Sequence, residues 1–206
     1  MKIIAYAPVW GRHKAVALFA ANCLHNKVQG YVVVSNEEDK AWCEKLHLKT
    51  TMYPNKDFGA KLQHGLNWLK EFEWDACIMM GSDDTIDGID IIRNHLFTYS
   101  FIAFGDCHFE SLETGEKGYW PGYTNHRKGE PAGAGRIYRR PLLERMNFDL
   151  WTGVTHGTTD SQPWQRVQKF TDNILILTSA DGVKLTDYKD KDSLTSFQRL
   201  KSSIQL

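Results

Sequence analysis

The chain has 206 residues, of which 42% are hydrophobic and 24% are charged, and its 25 acidic side chains balance its 25 basic ones. This composition is typical of a soluble globular protein with a substantial core, and the length favours one domain over two. The even charge balance excludes a chain whose whole surface attracts nucleic acid or anionic lipid, although it leaves room for a local basic patch.

The sequence contains no apolar stretch of about 18 residues, so it predicts no membrane span. The apolar run at the N-terminus is also too short for a signal peptide. The four cysteines are widely spaced and form no Cys-x-x-Cys pair. In a chain without export signals such cysteines are expected to be reduced and buried, with zinc binding as the alternative. These features predict a cytoplasmic protein, of a bacterium or of a virus-infected host cell.

Strand and helix patterns alternate through the first hundred residues. Short apolar runs rich in β-branched residues predict buried strands at 3–9, 29–35, 50–53 and 76–80. Apolar residues at helical spacing predict helices at 13–24, 37–48, 58–72 and 88–97. Asn36 is the expected N-cap of the second helix. This alternation predicts an α/β fold with a mostly parallel central sheet flanked by helices.

The pattern becomes irregular after residue 100. The sequence predicts a strand at 100–108, a hairpin at 110–123 with Gly115 and Gly118 in or near its turn, helices at 141–146 and 161–170, and a strand at 174–178. We therefore expect one domain in three parts. Residues 1–100 bind a nucleotide, residues 101–186 form an irregular half that selects the substrate, and residues 187–206 form a polar tail.

The strongest chemical signal lies at the end of the strand predicted at 76–80. Gly81 and Ser82 are followed there by Asp83 and Asp84, so two adjacent carboxylates stand at the edge where open α/β sheets bind ligands. Carboxylates this close repel each other, and a divalent cation relieves the repulsion. Hard oxygen ligands suit Mn²⁺ or Mg²⁺, with diphosphate oxygens completing the shell. The alternative is that Ser82 or Asp84 caps the following helix and Asp83 lies in a turn.

Four motifs occur in an order that resembles a known family. They are a first strand ending in Pro-x-x-x-Arg at 8–12, a turn before a helix at 56–61, an apolar strand ending in Gly-Ser-Asp-Asp at 81–84, and Gly-x-Gly-x-x-x-x-Arg at 133–140. This order is similar to that of the GT-A glycosyltransferases of the family-2 type, over residues 1–170. The resemblance implies a GT-A-like domain whose strand-end Asp-x-Asp holds a metal and the diphosphate of a sugar nucleotide. Gly81 stands where the first aspartate is usual, which leaves Asp83 and Asp84 as the expected metal ligands.

The resemblance also implies which residues bind the donor, an NDP-sugar with a UDP-sugar favoured. In the family the loop after the first strand lines the nucleoside pocket, where Trp10 offers a ring face and Arg12 a bidentate donor to phosphate. Gly59 would permit a close backbone approach, and Lys61 would meet a phosphate. The alternatives are that Trp10 covers the edge of the core and that Lys61 is a solvated helix residue. The predicted nucleotide-sugar-binding residues are Pro8, Trp10, Arg12, Asn36, Gly59, Lys61, Ser82, Asp83 and Arg140.

The general base is expected later in the chain. In enzymes of this family a carboxylate at the start of a helix deprotonates the acceptor hydroxyl, and Asp160 matches it by position. The usual Glu-Asp pair is here Thr159-Asp160. Asp160 would then act as the general base of an inverting transfer, with His156 as an alternative base or a third metal ligand. The competing interpretation of Asp160 is a helix N-cap, a role for which Ser161 would compete.

The sequence therefore predicts a metal-dependent glycosyltransferase that moves a sugar from an NDP-sugar to a hydroxyl acceptor. Residues 123–145 are locally basic, which suits phosphate on the donor or the acceptor, so a modified DNA base and a glycan both stay open as acceptors. One rival is a nucleotidyltransferase, which would carry a Gly-rich basic loop directly after the first strand, where residues 7–12 have a single glycine. The other rival is a non-catalytic relative that kept the pocket, which Gly81 favours.

Overall fold

The structure is a computed structural model that describes residues 1–191. The strands are β1 (Ile3–Pro8), β2 (Gln29–Val34), β3 (Lys49–Met52), β4 (Ala76–Met79), β5 (Asp84–Asp87), β6 (Phe101–Phe104), β7 (Cys107–Ser111), β8 (Lys117–Trp120), β9 (Arg136–Arg139), β10 (Ile174–Leu177) and β11 (Lys184–Lys189). The α-helices are α1 (His13–His25), α2 (Glu37–Lys45), α3 (Phe58–Trp68), α4 (Ile89–His95), α5 (Arg140–Arg145) and α6 (Ser161–Gln168). Single turns of 3₁₀-helix lie at Leu69–Glu71, His156–Thr158 and Ser179–Asp181. Within the described residues, none of the helices has both the length and the apolar character needed to cross a membrane.

A seven-stranded sheet forms the centre of the fold, in the order β10-β6-β9-β4-β1-β2-β3. Its strands run parallel except β9, which is antiparallel to both β4 and β6. Alternate residues of β1 are buried on opposite faces: Ile3 and Ala5 pack with α1, α2 and α4, whereas Ile4 and Tyr6 pack with α3, α5 and α6. Burial on both faces explains why these strands are continuous apolar runs. The predicted α/β fold with a mostly parallel central sheet is confirmed.

The elements of the first hundred residues form where their local signals lie. Asn36 is the N-cap of α2, because its side chain accepts a hydrogen bond from the backbone N–H of Asp39 at 2.7 Å. Asp57 caps α3 in the same way, accepting from the N–H of Ala60 at 2.9 Å. Such caps satisfy backbone donors that have no partner inside the helix. The four cysteines are buried and unpaired, as expected from the sequence.

A second sheet, in the order β5-β11-β7-β8, packs on the side of the central sheet that α1 covers. Ile86 of β5 and Leu185 of β11 are buried in the same core as the apolar face of α1. The side-chain amides of Asn22 and Asn26, both in or next to α1, donate to the carbonyl of Ile86 at 3.0 and 2.9 Å. This anchorage places β5 and its partner β11 directly beside the turn that ends β4.

The second half of the chain differs from the prediction in several elements. The strand predicted at 100–108 is two strands, β6 and β7, and the hairpin is formed by β7 and β8. Gly115 lies in the hairpin turn at a φ of 69°, whereas Gly118 lies within β8. Strands β9 and β11 were not predicted, and neither was β5 in the first half, because all three mix polar and apolar residues and are buried by their partner strands. The expected polar tail therefore begins with strand residues, and its remainder at 192–206 lies outside the described residues.

Candidate functional site

The parallel strands β1 and β4 lie side by side, so the loops that follow them meet at one edge of the central sheet. Two cavities open there. One, of about 600 Å³, is lined by the loop after β1, by α3 and by the turn after β4. The other, of about 500 Å³, extends towards β7, β8, β11 and the start of α6. Pro8, Phe58, Gly81 and Asp83 line both cavities, so the turn at 81–84 lies between them.

The turn after β4 holds its two carboxylates in fixed positions. The backbone N–H of Asp84 donates to the carbonyl of Gly81 at 3.2 Å, and the N–H of Gly81 donates back to Asp84 Oδ2 at 2.5 Å. A Cβ atom on Gly81 would lie 2.6 Å from Asp83 Oδ1 and 2.8 Å from Asp84 Oδ2. Glycine is therefore needed for the close approach of both carboxylates. Helix α4 has Gly88 as its N-cap, so the alternative that Ser82 or Asp84 caps it is wrong.

Strand β11 brings a third carboxylate to this turn. Asp187 is directly opposite Asp84 in the antiparallel pairing of β11 with β5. The N–H of Tyr188 donates to the carbonyl of Asp83 at 2.8 Å, which fixes β11 against the turn. As a result, one oxygen from each of Asp83, Asp84 and Asp187 lies within 4.8 Å of the others. We call these three residues the carboxylate trio.

Burial makes the trio electrostatically unfavourable. Burial, reinforced by the neighbouring charges of Asp187 and Asp83, raises the pKa of Asp84 well above its ordinary value. Burial also raises the pKa of Asp187 to about 7, although Lys189 acts in the opposite direction. Like charges directly opposite each other on an antiparallel pair destabilise the sheet. A cation bound between these carboxylates would therefore relieve an existing repulsion.

Two basic side chains already compensate part of this charge. Arg12 Nη1 lies 2.8 Å from Asp83 Oδ2, and Lys189 Nζ lies 2.6 Å from Asp187 Oδ2 and 3.6 Å from Asp83 Oδ2. Arg12 also pairs with Asp190, at 3.2 Å from its Nε. Burial alone would raise the pKa of Asp83, but the charges of Lys189 and Arg12 outweigh burial and hold that pKa below its ordinary value.

The donor atoms of the trio fit a hard divalent cation. Asp187 Oδ1 is fully buried and has no hydrogen-bond partner within the described part of the chain. A buried carboxylate oxygen without a partner costs free energy unless a donor or a cation reaches it. Carboxylate oxygens are also the ligands that Mg²⁺ and Mn²⁺ prefer. Asp83, Asp84 and Asp187 are thus the residues that could hold such a cation.

Six of the residues predicted to bind the donor line the 600 Å³ cavity; they are Pro8, Trp10, Arg12, Lys61, Ser82 and Asp83. Trp10 is 62% exposed, which contradicts the alternative that it covers the edge of the core. Arg12 begins α1 in the left-handed conformation at a φ of 55°, and this turn directs the chain from the cavity into the helix.

Lys61 is buried rather than solvated, with 1% of its surface exposed. Its ammonium donates to the carbonyl of Val9 and to Ser35 Oγ, both at 2.6 Å, and to Asn55 Oδ1 at 3.4 Å. Burial lowers the pKa of Lys61 to about 8, with a smaller opposing effect from Asp39. The side chain therefore ties the loop after β1 to the end of β2 at the wall of the cavity. The alternative of a solvated helix residue is wrong.

Two further predicted residues have structural contacts instead of cavity-lining positions. The amide of Asn36 is used at the start of its own helix, where it also donates to Asp39 Oδ2 at 3.0 Å. A Cβ atom on Gly59 would lie 2.3 Å from the carbonyl oxygen of Val154, so glycine allows α3 to pack against that backbone. The close backbone approach expected at Gly59 is thus found, but towards the protein itself.

Arg140 lies beside the start of β4, at the opposite end of the strands from the turn at 81–84, which contradicts its expected contact with the donor. Because β9 is antiparallel to β4, the residue after β9 lies beside the residue before β4, and the N–H of Arg140 donates to the carbonyl of Asp75 at 2.9 Å. Its guanidinium donates to the carbonyl of Phe72 at 2.5 Å and lies 5.0 Å from the ring centroid of Trp74. Motif order along the chain does not reveal the direction of a strand, which is why the sequence misplaced this residue.

Asp160 precedes α6 and lines the 500 Å³ cavity together with the carboxylate trio. Its carboxylate makes no capping hydrogen bond, so the N-cap interpretation is not supported. Arg136 Nη1 donates to the Asp160 carbonyl at 2.5 Å, and a Cβ atom on Gly133 would lie 2.3 Å from Asp160 Cγ. The Asp160 backbone is thus held by Arg136, and its carboxylate lies close to the backbone of Gly133 in the cavity wall. The backbone of His156 belongs to the 3₁₀ turn before α6, and its side chain lies outside the described structure.

The sequence interpretation missed Asp187 and Lys189, which it assigned to the polar tail. A signal was present, because Val183, Leu185, Asp187 and Lys189 alternate with other residues as the side chains of one strand face do. Leu185 is fully buried, and together with Asp187 and Lys189 it lines the 500 Å³ cavity. The change from apolar to charged side chains along this one face therefore marked a strand entering a polar site.

Comparison with known proteins finds relatives by fold alone. No family model and no curated protein matches the chain. Among solved structures, residues 1–349 of S. aureus TarS in complex with UDP are 16% identical with a TM-score of 0.57, covering 91% of this chain and 60% of that one. The mannosyltransferase PcManGT from Pyrobaculum calidifontis, in complex with GDP-Man and Mn²⁺, is 14% identical with a TM-score of 0.55, covering 91% and 56%. CMP:2-keto-3-deoxy-manno-octonic acid synthetase complexed with CTP is 12% identical with a TM-score of 0.54, covering 86% and 90%. The chain thus spans about three fifths of the length of the TarS fragment and of PcManGT.

Proposed function

We propose that this chain, which has the GT-A-like fold of nucleotide-sugar transferases, is a metal-dependent glycosyltransferase that moves a sugar from an NDP-sugar to a hydroxyl acceptor. The observation that carries the proposal is the carboxylate trio, which stands between two cavities at the carboxyl edge of the sheet. In open α/β sheets this edge is where ligands bind. A diphosphate held there would lie between a donor cavity and an acceptor cavity.

The trio is the proposed site for Mn²⁺ or Mg²⁺. When bound, the cation would supply positive charge to the diphosphate that leaves the sugar. The chain's own residues would hold this cation. The trio offers a buried carboxylate oxygen that has no other partner among the described residues, and Gly81 leaves space for the carboxylates of Asp83 and Asp84. The Mn²⁺ in the PcManGT complex supports the choice of metal by similarity of fold.

The 600 Å³ cavity is the proposed donor pocket. Trp10 offers an exposed ring on which a nucleobase can stack, and the guanidinium of Arg12 lies at the boundary with the trio, where it can reach phosphate oxygens. Ser82, which is buried, lines the same cavity and offers a hydroxyl. A UDP-sugar is the favoured donor, a choice supported by the UDP in the TarS complex.

The 500 Å³ cavity is the proposed acceptor pocket. Several aromatic side chains line its wall and suit stacking against a sugar or base ring; they include Phe58, Phe109, Trp120, Tyr123 and Trp151. Asp160 would accept the proton of the attacking hydroxyl, and attack assisted by a single base from the side opposite the diphosphate inverts the anomeric centre.

The proposal is tested by titrating UDP, GDP and CDP into the protein by calorimetry with and without Mn²⁺, followed by incubation with the matching NDP-sugars. We expect one nucleotide to bind only when Mn²⁺ is present, and its sugar ester to release nucleoside diphosphate. Absence of nucleotide binding at saturating Mn²⁺ would contradict the proposal. Binding without release, across a panel of glycan and DNA acceptors, would instead indicate the non-catalytic relative.

A nucleotidyltransferase is the second candidate, because the CTP-bound synthetase has the same fold and nearly its whole length is matched. The loop after β1 has a single glycine, Gly11, so it offers little of the Gly-rich phosphate cradle that such an enzyme needs. Incubation with CTP or UTP and a sugar phosphate distinguishes the two reactions. Pyrophosphate release there, without nucleoside diphosphate release from NDP-sugars, would favour the nucleotidyltransferase.

Restoring the family's usual aspartate at position 81 is expected to weaken metal binding. The Cβ of Gly81→Asp would approach Asp83 Oδ1 and Asp84 Oδ2 to within 2.6 and 2.8 Å, so the carboxylates would have to move apart. The N–H of residue 81 would also lose its fixed bond to Asp84. Calorimetric titration with Mn²⁺ in UDP should show a lower affinity than for the unaltered protein. A tighter site in this variant would mean that the turn rearranges to an ordinary Asp-x-Asp geometry.

A further inference from the structure

Lys189 pairs with two of the three carboxylates that a metal held by the trio would bind. Its ammonium is 2.6 Å from Asp187 Oδ2 and 3.6 Å from Asp83 Oδ2, so it bridges two members of the trio. The residue is 9% exposed, and its Nζ lies 5.9 Å from the ring centroid of Phe109. A divalent cation coordinated by the same carboxylates would lie next to a like charge. The ammonium and the metal therefore cannot both hold their preferred positions.

We propose that Lys189 is a phosphate-binding residue that acts as a resident counter-ion: it neutralises the trio before the metal arrives and then moves onto the diphosphate of the donor. This inference rests on the proposed function, which supplies the metal and the nucleoside diphosphate. The lysine stem has four rotatable carbons, so the ammonium can shift by several ångströms without movement of β11. The 500 Å³ cavity, which Lys189 also lines, provides the space for that shift.

Charge balance at the site supports the exchange. Four carboxylates meet there, those of the trio and of Asp190, and they face the two cations Arg12 and Lys189. A divalent cation in the place of Lys189 would bring two positive charges instead of one, so the carboxylates would be better neutralised after the ammonium leaves. A nucleoside diphosphate then brings new negative charge, and buried anions require cationic or hydrogen-bonding partners. Among the described residues, Lys189 is the lysine whose ammonium pairs with carboxylates of the trio.

The test replaces Lys189 by glutamine and measures two affinities that should change in opposite directions. With Mn²⁺ alone, Lys189→Gln should bind the metal more tightly than the unaltered protein, by roughly 5-fold or more, because a competing cation is gone. With UDP in saturating Mn²⁺, the variant should bind more weakly by roughly 10- to 150-fold, the worth of a hydrogen bond to a charged group. If Lys189 only supported the fold, its replacement would weaken both the Mn²⁺ affinity and the UDP affinity.

Two further variants complete the design. Lys189→Arg keeps the positive charge and should restore UDP affinity to within a few-fold of the unaltered protein. Lys184→Gln is the matched control, because Lys184 begins the same strand and faces Asp87 at its far end, so both affinities should stay unchanged. If Lys189→Gln fails to fold, the side-chain NMR signal of Lys189 in the unaltered protein takes its place, and it should shift on adding Mg²⁺ alone and again on adding UDP.

The results separate this inference from the function beneath it. If the unaltered protein shows Mn²⁺-dependent UDP binding but Lys189→Gln binds Mn²⁺ with equal or lower affinity, Lys189 is a structural ion-pair residue and the inference is overturned. An NMR signal that stays in place when Mg²⁺ is added overturns it as well. If the unaltered protein binds neither Mn²⁺ nor UDP, the proposed function fails first and the role of Lys189 falls with it.

Discussion

Replacing Asp187 by asparagine is expected to abolish Mn²⁺-dependent UDP binding as completely as replacing Asp84 by alanine. Asparagine keeps the size of the side chain, so the substitution removes one charge and one hard ligand from the trio. Asp187 also carries the buried oxygen that has no hydrogen-bond partner among the described residues. Because loss of residues that merely orient metal ligands costs about 10- to 100-fold in metal affinity, loss of a ligand should cost at least about 100-fold. Titration of UDP in Mn²⁺ by calorimetry measures this loss.

The other end of the same strand pair supplies the control. Asp87 is an exposed carboxylate on β5 and faces Lys184 of β11, as Asp84 faces Asp187. Asp87→Asn makes the same chemical change outside the trio and should leave Mn²⁺-dependent UDP binding unaltered. Thermal unfolding of both variants checks that they fold. A folded Asp187→Asn protein with ordinary UDP affinity would remove Asp187 from the proposed metal site.

Apart from β5, the elements of the first hundred residues could be predicted from the sequence because the signals there are local. Buried strands such as β1 and β2 are continuous apolar runs, and the caps Asn36 and Asp57 mark the starts of their helices. By contrast, β9 carries Arg136 and Arg139 at its ends and is buried by neighbours distant in the chain. Its pattern resembles a polar loop, and its antiparallel direction is a property of the sheet. Because β9 is antiparallel to β4, Arg140 lies at the opposite end of the strands from the candidate site.

The sequence could predict only those residues of the candidate site that follow a single strand, β4. Asp83 and Asp84 follow an apolar strand, so their placement at the sheet edge needs nothing beyond the local pattern. Asp187 joins them through the register of β11 against β5, which depends on contacts between distant segments. Gly81 explains why a distant carboxylate is needed. An aspartate at position 81 is excluded by the close approach of Asp83 and Asp84, and Asp187 of β11 provides the third carboxylate instead.

Replacing Asp160 by asparagine is expected to leave donor binding intact and to lower the rate of transfer by about 10²- to 10⁴-fold, the usual contribution of a general base. Asp160 lines the proposed acceptor cavity but not the proposed donor cavity, so UDP affinity in Mn²⁺ should not change. Its carboxylate is free of helix capping, and Arg136 holds the backbone of the same residue. Steady-state kinetics with the identified NDP-sugar and acceptor would separate the turnover number from the donor KM.

A substitution at Gly133 can displace the Asp160 carboxylate without changing its chemistry. Gly133→Ala places a Cβ atom 2.3 Å from Asp160 Cγ, so the carboxylate must move, and a displacement of about 1 Å can cost roughly 100-fold in rate. We expect this variant to reproduce much of the loss seen in Asp160→Asn, again without loss of donor affinity. Asp172→Asn, an exposed carboxylate beyond the other end of α6, is the matched control and should turn over normally. Full turnover in Asp160→Asn would mean that the base is another residue, and His156→Ala would then be the next variant to assay.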